Sequence, residues 1–184
     1  NFRLKGKFDF ENPSEKILAF DLFTQEKKLR LLGKNNIQIW DIENNKVLDV
    51  RRHEIENLSE TTFGGISPDK NKLLVLGFET KSQVKDAPKI KTPAKIYDLQ
   101  TTKLLKILDK PAGLVKSAVW SKDGKTLITA DNNFFNSKEY FAHKNETEVS
   151  FWDGESLEFR GSTVIKDLTW FYLSDDGENF FTTS

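Results

Sequence analysis

The chain repeats one pattern four times: an apolar run, a short polar turn and a second apolar run. The four copies begin at Leu18, Thr62, Lys116 and Leu168. Between them a second pattern recurs, IQIWDI, AKIYDL and VSFWDG, each leading into another short apolar run. A single unit of this kind cannot bury its own apolar faces, so neighbouring copies must stack. The repeat therefore predicts an array of small antiparallel sheets.

The spacing of the copies indicates how large each sheet is. Ser67, Ser121 and Ser174 are separated by 54 and 53 residues, whereas Thr24 and Ser67 are separated by 43. The shortest interval matches the period of about 40–45 residues that is typical of a four-stranded propeller blade. The longer intervals contain insertions between the second and third strands of the repeat, at Glu79 to Thr92 and at Asn132 to Thr147.

The third copy shows the local chemistry of one unit. Its turn, Ser121-Lys122-Asp123-Gly124, places an Asp that bonds the backbone beside a Gly that accepts positive φ. β-branched and aromatic residues flank this turn and favour strands. We predict an inner strand, a second strand, a third strand and an outer strand at 114–120, 126–130, 148–152 and 156–159.

The turn chemistry varies between copies. Asp175-Asp176-Gly177 repeats it, and positive φ is expected at Gly177 as at Gly124. In the second copy Asn71 stands in place of the Gly. The first copy, at 25–28, has lost the turn residues and keeps only the flanking apolar runs.

The chain resembles the WD-repeat β-propeller family. The dipeptides Trp40-Asp41, Tyr97-Asp98 and Trp152-Asp153 match the signature of that family at the end of the third strand. The family also has a polar tetrad with a His in the loop that enters the inner strand. Only His53 occupies such a loop, and the second strand of its blade, Leu73 to Gly77, lacks a Ser or Thr.

The resemblance implies an all-β propeller with about four four-stranded antiparallel blades, part of a seven- or eight-bladed ring. The chain is expected to form a single segment, 1–184, with blades at 16–52, 60–109 and 115–162, a partial blade at 166–184, and an outer strand at 2–8 that belongs to a preceding or closing blade. Such a segment would leave its end faces open, so we expect it to self-associate when it is expressed alone.

Composition excludes several classes of partner. The 28 basic residues balance the 28 acidic ones, which argues against nucleic acid or an anionic membrane as a partner. No apolar stretch approaches the ~20 residues needed to span a bilayer, so no membrane insertion is expected. The absence of Cys excludes disulfides and thiolate metal sites. A cytoplasmic location is the expectation, and a cleaved signal peptide remains the alternative.

No catalytic constellation stands out, and we predict no enzymatic residue, no metal and no cofactor. His53 and His143 lie in different loops, where a solvated side chain or, for His53, a bond between strand ends is expected. Asp41, Asp98 and Asp153 recur with the blade period, which favours turn caps over a carboxylate cluster. The four tryptophans are predicted core residues, with equivalent strand positions for Trp40, Trp120 and Trp152, and Trp170 in the fourth inner strand.

The two insertions are the candidate binding elements. The first is basic, with Lys85, Lys89 and Lys91, and the second is aromatic, with Phe134, Phe135, Tyr140 and Phe141. Four aromatic residues in one loop require a burial site: either they fold over their own blade as a cap, or they form a hot spot for a protein partner.

These features predict a non-enzymatic scaffold that binds a protein partner, or other subunits of an assembly, through the loop face of the propeller. The alternative is the propeller portion of a secreted or periplasmic protein, or of a larger enzyme whose catalytic residues lie outside this chain.

Overall fold

A computed structural model describes residues 16–60, 62–80, 90–108, 114–132, 146–168, 170–174 and 179–183. Over these ranges the regular elements are all β-strands, paired antiparallel. The chain divides into two compact units, 1–61 and 62–184. Within the described ranges we find no helix suited to crossing a membrane.

The first unit contains one four-stranded sheet, called the first sheet, whose strands follow one another in chain order. They are β1 (Ile17–Phe23), β2 (Lys28–Gly33), β3 (Asn36–Asp41) and β4 (Lys46–Arg52).

The second unit contains two further four-stranded sheets and two hairpins. The second sheet comprises β5 (Phe63–Ile66), β6 (Lys72–Val75), β9 (Ala94–Asp98) and β10 (Leu104–Leu108), and a ribbon of β7 (Phe78–Thr80) and β8 (Ile90–Thr92) is inserted between β6 and β9. The third sheet comprises β11 (Leu114–Trp120), β12 (Thr126–Asn132), β13 (Glu146–Asp153) and β14 (Phe159–Lys166). The fourth sheet pairs β15 (Trp170–Leu173) with β16 (Phe180–Thr183).

The all-β antiparallel architecture is confirmed, but the predicted outer strand of the third sheet was wrong. Ser156 belongs to a turn, because its N–H donates to the Asp153 carboxylate at 2.7 Å and the next residue, Leu157, has a positive φ of 60°. The outer strand therefore starts only at Phe159 and ends at Lys166.

Sheets in the second unit bury each other's faces. One core cluster unites the second sheet with one side of the third: Leu74, Ala94, Ile96, Leu108, Val115, Leu127, Trp152 and Leu157. A second cluster unites the opposite side of the third sheet, at Ile128, Ala130 and Val149, with Leu173 of the fourth. Adjacent residues of a strand point to opposite faces, so Leu127 and Ile128 serve different clusters. Full burial of a side chain such as Leu127 or Ile128 stabilises the fold by about 1.5–3 kcal/mol.

The turn between the first and second strands has the same bonds in two copies. Ser121 Oγ donates to Asp123 Oδ1 at 2.6 Å and accepts the Thr126 N–H at 2.9 Å. The corresponding distances are 2.5 Å for Ser67 to Asp69 and 2.9 Å for the Lys72 N–H to Ser67. The buried hydroxyl thus closes each hairpin.

The residue with positive φ in these turns is the fourth. Gly124 has φ 76°, as predicted, and Gly177 lies outside the described residues. In the second copy Lys70, with φ 62°, takes this position, so the assignment of Asn71 was wrong. The first copy keeps the geometry without the residues: the Lys27 N–H donates to the Thr24 carbonyl at 3.3 Å, and Lys27 has φ 53°.

Candidate protein-interaction surface

Both insertions leave the second unit where a second strand ends and a third begins. The ribbon β7–β8 and residues 81–89 lie between β6 and β9, and residues 133–145 lie between β12 and β13. In an antiparallel meander, the connection between the second and third strands lies at the end opposite to the tight first turn. The two insertions therefore emerge from equivalent ends of the second and third sheets.

Contacts at β11 bring the roots of the two insertions together. Leu114, the first residue of β11, is paired with Asn132, the last residue of β12 before the second insertion. Gly77 directly precedes β7, and a Cβ built on Gly77 would lie 2.8 Å from Leu114 Cδ1 and 2.7 Å from the Thr92 carbonyl oxygen. The close approach to the Thr92 carbonyl requires Gly at position 77. The contact with Leu114 places the start of the first insertion beside the root of the second.

Among the predicted partner-binding residues, Lys91 is described. It lies exposed on β8, opposite Glu79 of β7. The other six lie outside the described residues, so their placement stays a prediction: Lys85, Lys89, Phe134, Phe135, Tyr140 and Phe141.

The tryptophan of the third sheet is held by a hydrogen bond and a ring contact. Trp152 is buried, and its indole N–H donates to Thr129 Oγ1 on the neighbouring strand at 3.0 Å. Its ring meets Phe159 edge to face, with the ring centroids 5.3 Å apart. In the first sheet the half-buried Trp40 donates to Gln38 Oε1 at 2.9 Å. Tyr97, at the corresponding place of the second sheet, is buried.

Trp120 does not share this position, contrary to the sequence prediction. It ends the inner strand β11 and pairs with Leu127 from one side, while Trp152 of β13 pairs with Leu127 from the other. Both indoles join the same core, where Trp120 is half-buried. Trp170 begins β15, and its side chain lies outside the described part of the chain.

The repeat carboxylates cap the turns between third and fourth strands, as predicted. Asp41 accepts the Asn44 N–H at 3.0 Å, and this bond lowers the pKa of its carboxyl. Asp98 accepts the Thr101 hydroxyl at 2.7 Å, which lowers the pKa of Asp98 in the same way. Each carboxylate serves its own sheet, so they form local caps.

Asp153 carries the most strongly shifted of these carboxyls. The backbone N–H of Ser156 and then the Arg160 guanidinium donate to it and lower its pKa to about 2. Hydrogen bonds to the charged form favour ionisation. The turn is therefore held by an ionised Asp at every pH near neutrality.

His53 has a structural role, which was one of the two roles predicted for it. Its ring is buried, Nε2 donates to the Gly33 carbonyl at 3.1 Å, and Nδ1 accepts the Ile55 N–H at 3.4 Å. These bonds tie the exit of β4 to the end of β2. His143 lies outside the described residues.

Sequence reasoning missed Asp131, near the end of β12. Its side chain is fully buried, and neither carboxylate oxygen has a hydrogen-bond partner among the described residues. Burial, and then the charge of Glu148 across the ladder, raise the pKa of Asp131 to about 7. The neighbouring hydroxyl of Ser150 is also buried without a partner there. An Asp at the end of a strand, next to an insertion, is expected to be solvated, so no sequence signal pointed to the burial of Asp131.

No group of three or more His, Asp or Glu residues that could hold a metal occurs in the ranges that the structure describes. Comparison with models of known protein families and with curated proteins finds no match for this chain.

Proposed function

We propose that this chain is a segment of a WD-repeat-like β-propeller, and that it acts as a non-enzymatic scaffold for a protein partner. Support for the architecture comes from the three four-stranded meanders and from the face-to-face packing of sheets in the second unit. Further support is the bond from Trp152 to Thr129, because it joins a third-strand Trp to a second-strand Thr within one blade. The turn-capping Asp after each signature aromatic agrees with the same reading.

The observation that carries the binding proposal is the packing of Gly77, at the root of the first insertion, against Leu114, beside the root of the second. A basic loop and an aromatic loop that start side by side on a rigid core can act as one surface. In such a surface the aromatic residues would supply anchors and the lysines a polar rim. The partner class that fits is a protein with an apolar pocket bordered by acidic residues.

The test replaces Phe134, Phe135 and Tyr140, all three at once, by Ser. The variant is made in the full-length protein and expressed in its source cell. Partners are captured by cross-linking and identified by quantitative mass spectrometry. We expect the variant to lose a specific partner that the parent recovers, with an unchanged melting temperature.

A matched control changes the opposite end of the same sheets, with Lys103→Ser and Glu155→Ser in the exposed turns. This control should keep the partner. Recovery of the full set of partners by the folded aromatic variant would refute the proposed surface.

A further inference from the structure

Two carboxyl groups lie opposite each other at the end of the third sheet where the second insertion starts. Asp131 of β12 pairs with Glu148 of β13, so both side chains are on one face of the sheet. Glu148 accepts the Ser162 hydroxyl at 2.7 Å, whereas both carboxylate oxygens of the fully buried Asp131 lack a hydrogen-bond partner among the described residues. Like charges directly opposite each other destabilise a sheet, and burial of a charge without a partner is more costly still. The closed sheet therefore accommodates Asp131 best in its protonated form.

Among the described residues we find no counter-charge to Asp131. Its partner on β11 is the buried Val115, and the second sheet contributes apolar side chains to the core that it shares with the third. The charged side chains that neighbouring strands carry near this end are Glu146 of β13, Lys166 of β14, and Glu79 and Lys91 of the ribbon β7–β8. Of the charges, it is that of Glu148 that acts on Asp131: burial, and then this charge, raise the pKa of Asp131 to about 7.

Water can reach Asp131 through a small local opening, because only Asn132 follows it in β12. On the β11 side the two residues pair with buried apolar side chains, Leu114 and Val115. On the β13 side they pair with half-buried polar ones, Thr147 and Glu148. Separation of β12 from β13 at this end breaks two residue pairs and leaves the apolar core at 127–128 in place. Openings of strand ends cost much less free energy than global unfolding.

We propose that ionisation of Asp131 opens the end of the β12–β13 ladder, and that this end acts as a pH-sensitive latch at the root of the second insertion. In the open form the carboxylate gains water and moves away from Glu148; in the protonated form the ladder stays closed up to Asn132. Asp131 binds its proton more tightly in the closed form, so opening becomes more favourable as the pH rises from about 4 to about 7. Asn132 also pairs with Leu114, which contacts the root of the first insertion. Resting on the proposed function, the latch therefore holds the candidate surface best at acidic pH.

Amide hydrogen exchange of the chain, followed residue by residue by NMR at pH 5 and pH 7.5, tests the latch. Each exchange rate is divided by the intrinsic rate at the same pH, which gives an opening constant. For the amides of 131–132 and 147–148 this constant should rise by roughly tenfold or more between the two pH values, since each pKa unit corresponds to a factor of ten. At pH 7.5 it should also exceed the opening constant of the core amides at 127–128. Equal constants at the strand end and in the core would show global unfolding only and would overturn the latch, as would a strand end whose opening constant does not change with pH.

Two Asp→Asn variants assign the effect to its residue. Asp131→Asn should give the same opening constants at both pH values, whereas Asp41→Asn, in an exposed turn of the first sheet, should keep the pH dependence of the parent. A rise in Asp131→Asn equal to that of the parent would overturn the proposal. If Asp131→Asn does not fold, Glu148→Gln replaces it and should reduce the rise, because it removes the charge that faces Asp131. The exchange measurement needs no partner, so its failure leaves the proposed scaffold function standing, and loss of that function leaves the latch standing.

Discussion

Replacement of the buried carboxyl of Asp131 by an amide should stabilise the protein at neutral pH. Asp131 is fully enclosed in the third sheet, with no hydrogen-bond partner for its carboxylate among the described residues and with Glu148 opposite on β13. Both the loss of water and the charge of Glu148 disfavour the ionised form. Asp131→Asn keeps the shape of the side chain and removes this charge.

The sign of the pH effect follows from the direction of the pKa shift. The pKa of Asp131 rises from 3.8 to about 7 on folding, so between these values the folded protein binds more protons than the unfolded chain. The free energy of unfolding of the parent should therefore fall as the pH rises through this window. Below the window Asp131 is protonated in both states, so the pKa shift no longer lowers the free energy of unfolding.

The size of the effect follows from the same shift. One pKa unit corresponds to about 1.36 kcal/mol, so the full penalty above pH ~7 is of the order of 4 kcal/mol. The difference in stability between Asp131→Asn and the parent should be near zero at about pH 4 and approach several kcal/mol at about pH 8. This is a large fraction of the stability of a typical domain.

Urea unfolding at a series of pH values, followed by far-UV circular dichroism, measures this difference. Asp123→Asn is the matched contrast, because the hydroxyl of Ser121 lowers the pKa of the exposed Asp123. That variant should be less stable than the parent at neutral pH, and the difference should vanish as the pH falls below the ordinary Asp range. A difference between Asp131→Asn and the parent that does not change with pH would show that Asp131 is not enclosed as described.

Other substitutions test the turns and the Trp152 anchor by thermal or urea melting. Gly124→Val should cost about 1–3 kcal/mol, because a β-branched residue is strained at φ 76°, and a melt equal to that of the parent would exclude this turn. Lys70→Gly should instead add roughly 1 kcal/mol of stability, since Lys70 holds the same left-handed conformation; a loss of stability would count against the equivalence of the two turns. Thr129→Val should cost about 1–3 kcal/mol by leaving the indole N–H of Trp152 without its acceptor, and a neutral effect would argue against that hydrogen bond.

The hairpin turns could be predicted from the sequence because their hydrogen bonds form between nearby residues. In Ser121-Lys122-Asp123-Gly124, the hydroxyl, the carboxylate and the Gly each perform the role that their residue types suggest. The signature Asp residues cap their turns for the same reason. Interactions within a few residues of one another depend little on the rest of the fold.

Features that depend on neighbouring strands and sheets could not be predicted from local sequence patterns. The outer strand β14 begins later than its apolar pattern suggests, because Leu157 turns the chain and the pairing shifts between Phe151 and Trp152. Trp120 resembles the signature tryptophans in residue type and differs from them only in its strand. Asp131 is fully buried near the end of its strand, and no local pattern in the sequence encodes this burial.

The ribbon β7–β8, at the root of the candidate surface, could not be predicted from local sequence patterns either. The sequence located the first insertion and its lysines, but not the two short strands that support it. The approach of Gly77 to Leu114, which places the roots of the two insertions beside each other, depends on contacts between separate sheets.

Face-to-face packing of the second sheet on the third is tested most directly by nuclear Overhauser effects between methyl groups. In a sample with labelled Ile and Leu methyls, Leu74 and Ile96 of the second sheet should show cross-peaks to Leu127 and to the Trp152 indole of the third. Cross-peaks within each sheet but none between the two would contradict the stacked repeat.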